Sequence, residues 1–193
     1  MVFEYARHTF LWYDKAVGPQ PKNQIGPAQI RPAPAGEKPW GMTAPGKFEI
    51  ADDEALVFTL QPQGARYLGV LITDPWMVSV DYSRRGSSLN NLQAWHNPDG
   101  SITYVVAARD PEVHNWLDTG GIHDGALLVR WELVEDTLDP TTAVVDAKLV
   151  KLRNLSSALP FAMPSVSNAE RKVLIARRYK HYLRRLHALG LSA

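Results

Sequence analysis

The sequence predicts a mainly β protein, an antiparallel β-sandwich with helical segments at its two ends. Three observations carry this. Between residues 47 and 155, seven short runs rich in Val, Ile, Leu, Tyr and Thr recur at a spacing of about 10 to 15 residues, with Asp, Pro, Gly and Asn clusters between them. No long helical period interrupts those runs, and 3.6-residue periodicity is confined to residues 3–16 and 165–190. With 193 residues, 45% hydrophobic and 21% charged, the chain has the composition of one globular domain with attached segments.

Taken in order, FEYARHTFLWYDKA places Phe3, Ala6, Phe10 and Tyr13 at helical spacing, which predicts a short amphipathic helix ending near Gly18-Pro19. So abrupt a start reads as the C-terminal part of a longer ancestral protein. Val17 to Gly46 holds seven of the fourteen prolines and five glycines, which argues against helix and interior strand. This stretch, residues 1–46 with the helix, is expected to wrap the body in extended conformation with Trp40 as an anchor.

The body, residues 47–155, follows as KFEI, ALVFTLQP, RYLGVLITD, SSLNNLQAWH, SITYVVAARD, GALLVRWELV and VVDAKLVKL. Asn97-Pro98-Asp99-Gly100 is a turn sequence, so SLNNLQAWH is expected to fold back on SITYVVAA as a hairpin. In GALLVRWELV, alternation sends Arg130 and Glu132 to one face and Val129, Trp131 and Leu133 to the other. The last unit, residues 156–193, is a linker and a basic helix. Ser167 to Glu170 matches a capping box, Ile175, Tyr179, Tyr182, Leu183 and Leu186 share a stripe, and Gly190 is a stop.

Composition excludes several chemistries. Without cysteine there are no disulfides, thiolate metal sites or cysteine nucleophiles. Neither GxGxxG nor GxxxxGK[ST] occurs, and GxSxG and HExxH are also missing, so no cofactor and no metal centre are expected. No run reaches the roughly 18 apolar residues of a membrane helix, and a cytoplasmic location is the expectation. Residues 168–193 carry seven Lys or Arg against Glu170, a charge of +6, while the rest of the chain sums to −5. A basic helix lying on an acidic body satisfies itself, so no specific nucleic-acid partner is expected. The terminal helices could instead contact a second copy or a partner protein.

Two stretches concentrate polar side chains. DPEVHNWLDTGGIHDG, residues 110–125, ends a strand at Asp110-Pro111 and turns at its glycines, which leaves His114, Asn115, Trp116, Asp118, His123 and Asp124 on one loop. It is either a packed corner, with Trp116 and Leu117 as the plug, or a site. SSLNNLQAW puts Leu89, Asn91 and Gln93 on one face of a strand and Asn90, Leu92 and Ala94 on the other, so some amides face inward or line a groove. Amides beside the Trp95 and Trp116 rings suit a hydroxyl-rich ligand.

The turn NPDGS, the DP that ends a strand, the NWL that follows it and the closing apolar strand with its arginine together resemble the bacterial family known as domain of unknown function 1214. The resemblance spans residues 46–135, on Asp99, Gly100, Ser101, Asp110, Pro111, Asn115, Trp116, Leu117 and Arg130. It implies a jelly-roll-like sandwich at the C-terminal end of longer chains, and it implies no catalytic residues. After NWL this chain has Asp118-Thr119-Gly120-Gly121 where many relatives carry a proline-containing segment. The expected function is a non-catalytic ligand-binding or accessory domain for a polyol, glycan or glycolipid headgroup. Asn91, Gln93, Asn115, Asp118 and His123 would give polar contacts, Trp95 and Trp116 platforms, and Arg130 a counter-charge. The alternatives are a lyase or hydrolase using Asp118 and His123 as acid and base, or a protein-interaction module.

Overall fold

Period-two alternation along the apolar runs sorts the strands into two sheets that share one buried face. The computed structural model describes residues 4, 7, 13, 15, 17–37, 39–134 and 138–191. Phe3, Ala6 and Phe10 of the expected N-terminal helix lie outside the described residues. In chain order the strands are β1 (Gln24–Ile25), β2 (Gln29–Ile30), β3 (Gly41–Glu49), β4 (Glu54–Leu60) and β5 (Ala65–Thr73). They continue with β6 (Ser88–Asn90), β7 (Ile102–Ala107), β8 (Trp116–Asp118), β9 (Asp124–Val134) and β10 (Val144–Lys151). A single 3-10 turn, α1 (Leu155–Ala158) and α2 (Asn168–Ala188) complete the chain.

One sheet runs β1-β3-β9-β5-β6, with β2 also on β3, and the other runs β10-β4-β7-β8. Met42, Phe48, Leu68, Ile72, Leu127 and Trp131 of the first face Leu56, Phe58, Leu60, Ile102 and Tyr104 of the second, all essentially solvent-free. Each such side chain contributes about 1.5–3 kcal/mol by leaving water. Across the β4–β7 pair the Phe58 and Tyr104 rings stack at 5.3 Å. The outer face of the second sheet is buried too. Ala55, Val57, Val105 and Ala107 pack with Trp116 beneath Leu155, Leu159 and Met163, so the segment after β10 is a third layer rather than a free linker.

Several expectations are corrected. The proline-rich segment supplies strands: β3 runs through Pro45 in the interior of a sheet. In an antiparallel strand a residue's N and C=O face the same neighbour. Pro45 presents its carbonyl to Gly26 N at 2.7 Å, on the side where β1 and β2 leave a gap, so no ladder donor is lost toward β9. Trp40 is no buried anchor: it is 47% exposed, and the Arg31 guanidinium lies 3.9 Å above its ring.

The Asn97–Gly100 turn forms, with Gly100 at φ 82°, but it joins no hairpin. β6 stops at Asn90, whose side chain accepts from Leu92 N and Gln93 N at 3.0 Å and starts a local turn instead. β6 then pairs with β5, and β7 pairs with β4. The sandwich is antiparallel except that β8 lies parallel to β7. Leu133 leaves the core face: at φ 55°, just past the last β3 partner, it is 56% exposed.

The basic helix α2 is docked on the body. Its capping box is complete, and Gly190 closes it at φ 71°. Near its start, Arg171 forks onto Asp110 at 2.9 and 3.1 Å and lies over the Trp116 ring. Further along, Tyr182 meets Tyr82 edge to face, and Arg84 stacks on Tyr179.

Two outcomes test this fold. A Cβ at Gly125 would strike the Thr73 carbonyl oxygen and come within 2.8 Å of the Phe48 ring. Gly125→Ala is therefore expected to cost about 2 kcal/mol in chemical denaturation. Hydrogen bonds to Ser167, that with its side chain first, hold the Glu170 carboxyl below its ordinary value. A depressed folded value means that the cap's contribution is fully present above the ordinary glutamate value and is lost as the pH falls through the lower, folded one. The Ser167 amide resonance should follow that titration in the wild type and lose it in Glu170→Gln.

Candidate functional site

The outer face of the first sheet carries the residues that alternate with the core. On β5 the inward set is Leu68, Val70 and Ile72, which leaves Tyr67, Gly69 and Leu71 outward. Register then lays out the surface: Gly69 stands between Arg130 and Asn90, and Leu71 between Leu128 and Ser88. These residues floor a cleft of about 400 Å³, within the range of small-ligand pockets. Tyr82 and Arg178 of α2 form its far wall. The Tyr67 ring folds over Gly69, its hydroxyl occupying the place that a Cβ would take.

Charge and hydrogen-bonding capacity in the cleft are uneven. Arg130 is exposed and makes no hydrogen bond or ion pair with any described residue. Arg178 donates to the Ser88 carbonyl at 2.7 Å, and to Ser88 Oγ and the Tyr82 carbonyl at 3.3 Å, all of them neutral acceptors. Burial without a carboxylate pulls its guanidinium below the ordinary arginine value. Half-burial, then the charge of Glu132, pushes the Tyr67 phenol up, so it stays protonated. Asn90 and Gln93 use their amide oxygens on backbone N–H groups, while their NH₂ groups donate to no described residue. The cleft thus presents two guanidiniums and two amide donors over a part-apolar floor.

Of the residues singled out from sequence, Gln93 and Arg130 line this cleft. Asn91 stands beside it but is committed, accepting from Leu68 N at 3.2 Å and donating to the Arg66 carbonyl. Alternation with buried Leu89 turns Asn90, opposite Gly69, into the cleft, and because β6 stops there rather than running on through Trp95, the following turn folds Gln93 back beside it. Asn115 is completely buried, bonded to both backbone groups of Trp95 at 2.7 Å and to the Thr103 carbonyl at 2.9 Å. Trp116 is buried in the outer cluster of the second sheet and donates to the Ala107 carbonyl. The two tryptophans are therefore not platforms of the cleft.

The acid/base pair is not assembled. Asp118, 7% exposed, accepts from Gly120 N at 2.8 Å and from Arg85 at 3.2 Å. His123 instead meets the Ile50 carbonyl at 3.0 Å and Asp52 at 3.6 Å. Residues 110–125 form a packed corner, with Asn115 as its internal fastener. The strand-end cluster imagined from sequence divides among this corner, the β9 start and the cleft. Arg178 and Asn90 were missed. Arg178 carried a readable signal, since 175, 178 and 182 share one helical stripe.

Truncating the fastener should affect stability alone. Asn115→Ala removes the partner of Trp95 N, of the part-buried Trp95 carbonyl and of the buried Thr103 carbonyl, and is expected to cost about 3 kcal/mol by urea denaturation.

No protein-family model matches the chain, and no curated protein matches it. Among solved structures it is similar to an uncharacterised protein from Burkholderia cenocepacia, at 27% identity and a TM-score of 0.60, over 78% of this chain and 39% of that one. It is also similar, at 13% identity and a TM-score of 0.40, to the VPA0106 protein from Vibrio parahaemolyticus, over 56% of this chain and 30% of that one. The chain spans about two fifths of the length of the Burkholderia protein, and that likeness supports a two-sheet β fold.

Proposed function

We propose that the domain binds a small hydroxyl-rich ligand, a polyol, sugar or glycolipid headgroup, in the cleft over β5, and does so without catalysis. The observation that carries this is the set of unspent donors around Gly69: the Arg130 guanidinium and the NH₂ groups of Asn90 and Gln93. Such donors, left without protein acceptors on a face floored by Leu71 and Leu128, suit vicinal hydroxyls. The lining offers guanidinium, amide and hydroxyl groups rather than a carboxylate or imidazole, which favours recognition over acid/base chemistry.

Membership of the domain of unknown function 1214 family is part of this reading. It is supported by what its motif residues do here. Asp99 accepts from Ser101 N at 3.0 Å to close the turn, Asn115 and Trp116 build the corner, and Arg130 stands in the cleft.

Calorimetry with a panel of monosaccharides and polyols tests the proposal. Arg130→Ala, and Asn90→Asp, which keeps the oxygen that caps the turn and removes the NH₂ donor, are expected to weaken binding roughly 10-fold or more, as loss of a hydrogen bond to a charged or buried partner does, with an unchanged unfolding midpoint for Arg130→Ala. His123→Ala, outside the cleft, should bind as the wild type. A panel without a binder would overturn the proposal.

A further inference from the structure

We propose that the ligand of this cleft carries an oxyanion, a carboxylate or a phosphate, which Arg130 and Arg178 hold between them. This rests on the binding reading above and narrows its ligand class. Four other arginines meet a carboxylate, Arg171 with Asp110, Arg85 with Asp118, Arg109 with Asp52 and Arg31 with Glu132, while Arg84 lies on the Tyr179 ring and donates to its hydroxyl. The two arginines of the cleft meet no described carboxylate. Arg130 has no partner among the described residues, and Arg178 spends its hydrogen bonds on Tyr82 and Ser88 oxygens that carry no charge.

Among the described residues no Asp or Glu lines the cleft, and Glu132, one row along β9 from Arg130, lies 3.4 Å from the Arg31 guanidinium. Guanidinium stays charged in proteins, so the described lining carries two positive charges and no carboxylate. Keeping a half-buried cation without a counter-ion is costly, and an incoming oxyanion relieves that cost. A planar guanidinium fork matches carboxylate and phosphate geometry. The amide donors of Asn90 and Gln93 beside it would take the ligand's hydroxyls, which makes acidic sugars and polyol phosphates the fitting class.

Calorimetry with matched probes tests this: glucose against glucuronate and glucose 6-phosphate, and inositol against inositol phosphate. The acidic member of each pair is expected to bind at least 10-fold tighter, to weaken as salt is raised, and to lose that advantage in Arg130→Gln. Arg178→Lys keeps the charge while removing the fork, and with α2 still attached through Arg171 and the Tyr82–Tyr182 contact the preference falls rather than vanishes.

Sedimentation with phosphatidylinositol vesicles separates two sources of the same chemistry. Vesicle binding abolished by Arg130→Gln assigns the anion to a lipid headgroup, and binding of soluble acids alone assigns it to a free metabolite. Equal affinity for neutral and acidic partners would overturn this inference and leave the binding function standing. No binding of any probe, or vesicle binding indifferent to Arg130→Gln without soluble binding, would overturn both.

Discussion

The pairing of β5 with β9 is the constraint on which the rest depends. Val70 opposite Val129 and Leu68 opposite Trp131 turn into the core, so Gly69 opposite Arg130 must turn out. A slip of one residue would bury the guanidinium and expose the indole, an exchange costing far more than any surface contact returns. The same core contacts that hold the sandwich together therefore aim Arg130. The cleft needs no loop to position its first cation, and its second comes from a helix fixed at separate points by Arg171 and the tyrosine contacts.

The loops most crowded with polar residues turn out to be structural. Buried amides and carboxylates cost little only when every lone pair and N–H is matched, and Asn115 and Asp118 are matched by backbone groups and an arginine. Polar side chains placed for that purpose cannot also serve a ligand. In the cleft the opposite holds, since donors there outnumber the protein acceptors offered to them. Unspent hydrogen-bonding capacity separates the two regions better than polar density does.

Much of the architecture was legible from alternation and turn chemistry. The core strands, the capping box and the outward face of Arg130 all follow from spacing within single elements. What spacing cannot give is which element pairs with which. The Asn97–Gly100 turn reads as a hairpin, yet Asn90 ends β6 early and its neighbours go to different sheets. Pro45 reads as a strand breaker, and only the gap between β1 and β2 makes it harmless. The cleft escaped notice for a similar reason. Its parts come from β5, β6, β9, α2 and the segments beside β6, and no local pattern announces that Asn90 and Arg178 will line one cleft with Arg130.

A wall contributed by a separate helix makes the cleft's occupancy and that helix's attachment two expressions of a single equilibrium. Any molecule that engages Arg178 in its docked position must retard detachment of α2 in proportion to its own saturation. Conversely, anything drawing the outward lysines and arginines of α2 away from the sandwich would dismantle one side of the pocket without touching its floor. The C-terminal segment is in this sense the movable jaw of a vice whose fixed jaw is the sheet.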